Sequence, residues 1–236
     1  NYESLTPTPR DAELLRPARA RLFAELAAAP DPDMALNNLE RYAAVVDRSV
    51  FFTTLAQHPG GVPLLSRVGG SSQFLADALR RRPSHLAWLL EPRTMRVWLP
   101  EDLAADLAAA LAPFAAREAR MNALRRFKYR HLLRIGARDL LGDADLAVTT
   151  QELARLADVC LAEALRFAAA GARRDWGAPL DEPGAETGLA VVGMGKLGGE
   201  ELNYSSDIDL MFLYGEDGET AGGPAGRLST GGYFDR

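Results

Sequence analysis

Asp207 and Asp209 stand two residues apart in the run VVGMGKLGGEELNYSSDIDLMFLYGED, residues 191–217, with a hydrophobic stretch on each side. On a strand, carboxylates at i and i+2 leave the same face and can bracket a divalent metal. Ile208, between them, is expected to point into the core and fix that orientation. Gly198-Gly199 precedes the pair by a short polar segment, and glycine lets a backbone approach a phosphate chain closely and offer its N–H groups. Ser205 and Ser206 add hydroxyls at the same rim, and Lys196 sits in the turn within reach of a phosphate. Dense negative charge neutralised by metal and backbone donors is what phosphoryl and nucleotidyl transfer require.

Other motifs compete for the same residues. Gly193-x-Gly195-x-x-Gly198 fits the dinucleotide fingerprint, but that fingerprint opens a helix, and ELNYSSDID supplies only a short polar segment. No Gly-Lys-Ser/Thr is present, so the turn is not a nucleoside-triphosphate P-loop, and the acids are wrongly spaced for a calcium loop. A structural reading, in which the two aspartates only cap a turn, stays open.

The elements that position this stretch are a strand from GLAVVGMG and a second over Ile208–Tyr214, in which Asp209 interrupts an otherwise buried apolar run. Everything upstream reads as helix. Spacing predicts a helix over 11–28 that Pro30 and Pro32 end, one or two helices over 34–57, a stop at His58-Pro59-Gly60-Gly61, and a short helix or turn over 62–68. Ser71 or Ser72 is expected to cap a helix with Phe74, Leu75 and Leu79 on one side. Long helices follow Pro100, with Pro113 as a kink or break and Gly142 as a terminus. Thr149-Thr150-Gln151-Glu152 matches a capping box, with Thr149 as N-cap and Glu152 three residues on, opening a helix to about Ala170. Cys160 reads as a core residue on its apolar side. Residues 171–186 read as loop, and the glycine-rich segment after 215 as a flexible tail in which Tyr233-Phe234 starts a further element.

Composition narrows the class. Apolar residues make up 47 % of the 236 and charged residues 25 %, as in ordinary soluble domains. One cysteine excludes an intrachain disulfide, and with three histidines a structural zinc site is not expected. No apolar run approaches a membrane span, and the first residues lack the order of a signal peptide, so no membrane partner and a cytoplasmic location are expected. The net charge of −5 argues against a nucleic-acid partner. Eight Lys/Arg residues nevertheless lie between Arg117 and Arg138, against Glu118 alone among carboxylates up to that point. That basic run reads as a solvated face, as a face docked near phosphates of the catalytic region, or as a nucleic-acid surface with sparse aromatics.

GMGKLGGEELNYSSDIDLMFLY resembles the signature of the bifunctional glutamine synthetase adenylyltransferase/adenylyl-removing family, whose members carry two polymerase-β-type nucleotidyltransferase domains. SSQFLADALRRRP (71–83), MNALRRFKYRHLLRIGARDLLG (121–142) and TTQELARLADVCLAEAL (149–165) resemble the helical region before the first of these, so the resemblance spans roughly residues 35–234. It implies an α+β fold: a helical array over 1–98, a long-helix region over 99–180 that packs on the catalytic domain, and the beginning of a nucleotidyltransferase mixed sheet over 181–236. It is closer to the N-terminal copy, which implies removal of AMP from a tyrosine of glutamine synthetase by phosphorolysis, releasing ADP. Adenylyl transfer from ATP, or a non-catalytic helical module that docks glutamine synthetase or the PII signalling protein, are the alternatives. The implied site has Asp207 and Asp209 on Mg²⁺ and Gly198, Gly199, Ser206 and Lys196 on the nucleotide phosphates. The implied partners are glutamine synthetase, PII, phosphate and ADP or ATP.

The family places a third carboxylate in an Asp-x-Arg-Leu-Arg-Pro segment that does not occur here. Asp217 and Asp235 are poor substitutes, and two strands are too few for the sheet. An incomplete chain or weak order beyond about residue 215 is therefore expected, and these 236 residues alone are expected to be inactive.

Overall fold

A computed structural model of the chain describes residues 9–236. The reading of the extreme N-terminus as lacking a leader therefore falls largely outside the described residues. Nine helices, α1 (Pro9–Ala27), α2 (Pro32–Ala43), α3 (Arg48–Gln57), α4 (Gly61–Ser71), α5 (Gln73–Arg81), α6 (His85–Leu89), α7 (Pro100–Leu111), α8 (Arg117–Leu141) and α9 (Leu146–Trp176), precede the described strands. Then come β1 (Leu189–Gly193), the single turn α10 (Gly195–Gly198), β2 (Leu210–Tyr214) and α11 (Thr230–Phe234). The fold is thus a mostly helical region followed by a small two-stranded antiparallel sheet. Among the described residues no helix is long and apolar enough to cross a membrane.

The chain divides into two compact units: one through Leu99 together with Ala105–Glu152, the other Pro100–Ala104 with Leu153–Arg236. In the first, the core gathers Phe51 and Leu55 of α3, Val62, Leu65 and Val68 of α4, Leu75 and Leu79 of α5, Leu86 and Leu89 of α6, and Leu133 and Ala137 of α8. Ser72 is the N-cap of α5 and its hydroxyl accepts from the Leu75 N–H at 3.3 Å. Pro32 does not end a helix but opens α2, where Asp31 accepts from the Met34 N–H, because proline at the first helical position lacks only an N–H that would have no partner. Gly61 likewise starts α4, which runs through Ser71 rather than stopping near 68. Phe74 is 50 % exposed while Leu75 and Leu79 are buried, since successive residues on a helix differ by about 100° and only the latter two share the core-facing stripe.

α8 departs from the expected face. From His131 to Arg138 every residue is buried, Arg134 and Arg138 included. The two guanidiniums converge on Glu152, itself buried: Arg134 Nη1 lies 2.8 Å from Oε1, and Arg138 pairs with Oε2. The Trp98 N–H donates to the same carboxylate at 3.2 Å, and Arg134 Nη1 also donates to the Arg96 carbonyl at 2.8 Å. Buried guanidiniums need carboxylate and carbonyl partners because desolvation costs several kcal/mol per ion. Neither a fully solvated face nor a phosphate-docking face therefore describes Arg134 and Arg138.

The same network overturns the capping box. α9 begins at Leu146, and Asp145 caps it, accepting from the Val148 N–H at 2.8 Å. Thr149 lies inside the first turns, buried, and Glu152 serves α8 rather than the N-terminus of α9. α9 also continues to Trp176, past the expected end near Ala170, and Cys160 on it is half-buried. Gly142, at φ +80°, ends α8, with its N–H bonded to the Asp139 carbonyl and the Asp143 N–H to that of Arg138.

Residues 216–236 do not form a loose tail. Isolated bridges pair Pro179 with Thr220 and Glu219 with Ser229, and the Thr230 hydroxyl donates to the Leu180 carbonyl at 3.1 Å. Tyr233 and Phe234 belong to α11, and Phe234 stacks on Tyr214 with ring centroids 5.4 Å apart.

Candidate functional site

β1 and β2 pair antiparallel, with Val191 opposite Phe212 and Gly193 opposite Leu210. The ladder runs one step further: the Met194 N–H donates to the Asp209 carbonyl at 2.9 Å. Asp209 therefore stands directly across from the point where the chain turns into α10. Gly195 has φ +54°, a conformation that a side chain disfavours, and a β-carbon built on it would lie 3.9 Å from Asp209 Oδ2. At Gly198 a β-carbon would meet the Gly193 carbonyl oxygen at 2.5 Å, so only glycine lets the turn fold back on the end of β1.

Asp207, Ile208 and Asp209 precede β2, which begins at Leu210, rather than lying within it. All three are exposed, Ile208 at 37 %, so Ile208 does not anchor the pair by burial. The strand is not a buried one either, with Met211, Phe212, Leu213 and Tyr214 all exposed. What fixes Asp209 is the backbone bond to Met194, not the packing of its neighbour.

Lys196, Gly198 and Gly199 are exposed on the turn, and the Lys196 carbonyl accepts from the Glu201 N–H at 2.8 Å. Leu197 is buried beneath it. Ser206 is half-buried and its hydroxyl donates to Asn203 Oδ1 at 2.6 Å. Asn203 Oδ1 also accepts from the Ser205 N–H at 3.2 Å, and the Ser206 N–H donates to the Asn203 carbonyl at 3.3 Å. Asn203 thus organises the segment that leads into the two aspartates, a role sequence reasoning missed although asparagine's habit of bonding the backbone two residues on was a signal for it. Glu200, at φ +55°, is a left-handed residue with a side chain, a costly conformation held where the turn leaves α10. Burial, and then the charge of the Glu200 carboxylate, push the Asp158 carboxyl of α9 up.

The arrangement brings the glycine turn and Asp209 together and carries Asp207 two residues before it. Two exposed carboxylates are hard oxygen donors suited to Mg²⁺, while the N–H groups of Gly198, Gly199, Glu200 and Glu201 already donate to carbonyls of the turn. Among the described residues no three His, Cys, Asp or Glu side chains converge on one metal position. Asp217 accepts from the Tyr214 hydroxyl at 2.9 Å, and Asp235 follows α11.

Residues 62–234 match the family model described as glutamate-ammonia ligase adenylyltransferase. The chain belongs to that family. Similar proteins include the bifunctional glutamine synthetase adenylyltransferase/adenylyl-removing enzymes of Burkholderia pseudomallei, 41 % identical over 70 % of this chain and 18 % of the relative, and of Thioalkalivibrio sulfidiphilus, 34 % identical over 92 % of this chain and 23 % of the relative. The counterpart in Methylococcus capsulatus is 38 % identical over 86 % of this chain and 22 % of its own length. The chain thus spans about a fifth of the curated relatives it matches.

Proposed function

We propose that this member of the glutamate-ammonia ligase adenylyltransferase family contributes to removal of AMP from adenylylated glutamine synthetase by phosphorolysis. The observation that carries the reading is the pairing of Met194 with Asp209, which sets an Asp-x-Asp pair against a glycine turn in a chain whose relatives are named for adenylyl transfer and removal. In this reading residues 181–236 begin a polymerase-β-like nucleotidyltransferase core, and the helices of 1–98 and 99–180 precede it.

A phosphate oxygen attacks the phosphorus of tyrosyl-AMP. The new P–O–P bond yields ADP, the bond to the tyrosine oxygen breaks, and that oxygen takes up a proton. Asp207 and Asp209 hold Mg²⁺, which when bound neutralises the two phosphates so that one can approach the other. Gly198 and Gly199 let a phosphate approach the turn without a side chain in the way, their own N–H groups donating to the Met194 and Gly195 carbonyls at 3.3 and 3.0 Å. Lys196 adds a positive charge from the turn, and Ser206 lies at the rim with its hydroxyl held by Asn203. Glutamine synthetase as substrate, PII as regulator and a cytoplasmic setting belong to the same reading.

The test is phosphate-dependent release of ADP from adenylylated glutamine synthetase by the enzyme that carries this sequence. Asp207→Asn and Asp209→Asn are each expected to lower that rate about a hundredfold or more while ATP-dependent adenylylation persists. Loss of adenylylation with removal intact would assign the forward reaction to this site instead. Variants that keep both reactions would overturn the role of the pair.

A further inference from the structure

Within the first compact unit, α5, α6 and α8 with the end of α7 enclose an open cleft of about 470 Å³, and no residue of the Asp-x-Asp segment lines it. Four arginines line it, Arg81, Arg82, Arg126 and Arg130, against one carboxylate, Asp77. Asp77 is already committed: Arg80 Nε donates to it at 3.3 Å, and a hydrogen bond from Gln73, then the charges of Arg80 and Arg81, hold its carboxyl below the usual range. Arg130 pairs with Asp106. Arg82 and Arg126 are exposed and have no carboxylate partner among the described residues, so the cleft carries uncompensated positive charge in a protein of net charge −5.

Its other walls are aromatic. Phe74 and Tyr129 are 50 % and 47 % exposed, with ring centroids 6.1 Å apart. Arg126 sits over the Phe114 ring at 5.3 Å. His85 Nδ1 is buried in this wall without a hydrogen-bond partner. Burial, with the charges of Arg130 and Arg82, pulls that imidazole down to about 4, so it stands neutral at pH 7 and can accept a hydrogen bond.

We propose that this cleft binds a nucleoside phosphate, with the arginines on the phosphates and the aromatic rings against the base. Planar guanidiniums fork onto phosphate oxygens, exposed rings stack on bases, and the volume falls in the range of small-ligand pockets. A bare anion would leave the aromatic walls without a role, and a neutral ring system would leave the arginines uncompensated. This site is separate from the one proposed for catalysis and does not depend on it.

Calorimetric titration tests it, using the full chain carrying Asp207→Asn and Asp209→Asn, without Mg²⁺, so that the other phosphate site is silenced. ADP is expected to bind, with adenosine and inorganic phosphate each at least about tenfold weaker. The double substitution Arg82→Glu, Arg126→Glu is expected to weaken ADP about tenfold or more. Phe74→Ala, which removes no charge and alters a half-exposed side chain, should weaken ADP and leave inorganic phosphate unchanged. Circular dichroism checks that each variant is folded. Absence of ADP binding, binding of phosphate as tight as ADP, or ADP affinity unmoved by both the arginine and the phenylalanine variants would each overturn the proposal.

Discussion

Protons on His131 show how single residues carry the helical unit. Its ring is fully buried between Phe127, Trp88 and Trp98. Arg134 Nε, which can only donate, lies 3.3 Å from Nδ1, so Nδ1 accepts and the single proton sits on Nε2, donating to Asp106 at 2.8 Å. A second proton would face Arg134, with Arg130 close by. Burial is the larger effect, Asp106 opposes it, and the pKa falls to about 4 from an ordinary 6.5. Because the folded value is depressed, the unfolded chain binds the proton first as pH drops. Stability from this residue is therefore complete above about pH 6.5 and is lost as pH falls toward 4, by on the order of 3 kcal/mol across the window. His85 titrates in the same direction, its pKa also lowered to about 4, chiefly by burial. Urea unfolding midpoints between pH 7 and 5, above most carboxylate titration, should fall for the native sequence and fall distinctly less for His131→Gln. Equal slopes would show that His131 does not titrate as described.

At the scale of elements, α9 separates local pattern from tertiary use. Its sequence offers Thr149 and Glu152 in capping spacing, yet the helix starts at Leu146 under Asp145. Thr149 Oγ1 is buried without a partner, and Glu152 answers two arginines from α8. Asp145→Ala should cost about 1 kcal/mol, the usual worth of an N-cap, whereas Thr149→Val should cost nothing or stabilise slightly by removing an unpaired hydroxyl. Urea unfolding followed by circular dichroism distinguishes the two; a 1 kcal/mol loss in Thr149→Val with none in Asp145→Ala would restore the capping box. The same contrast explains what the sequence made legible. Ser72 and Gly142 were readable because caps and left-handed turns depend on adjacent residues. The glycine turn and the Asp-x-Asp pair were readable because their chemistry is set by spacing. Glu152 was not, because its partners lie on another helix, and Ile208 misled because an apolar residue between two acids is buried only if something covers it. Asn203 could have been suspected from its turn chemistry, but its hold on Ser205 and Ser206 needed coordinates.

For the molecule as a whole, the notable imbalance is a helical unit with a buried apolar core in the same chain as a bare sheet. In the antiparallel register, Val192 faces Met211 and Ala190 faces Leu213, and cross-strand partners share a face. All four are exposed, Met211 at 44 % and Leu213 at 49 %, so one side of the hairpin is a continuous apolar surface. On the opposite face Phe212 is 59 % exposed as well. A two-stranded sheet has too few neighbours to bury its own side chains, and contiguous apolar surface of this kind attracts hydrophobic ligands. The folded chain should therefore bind anilinonaphthalene sulfonate at neutral pH, where its circular dichroism shows native helix content. Met211→Thr with Leu213→Thr keeps strand-compatible residues and removes most of one face, so dye fluorescence should fall while helix content holds. Fluorescence unchanged by the double substitution would place the dye elsewhere, and a chain that binds none would mean that the hairpin face is covered in solution.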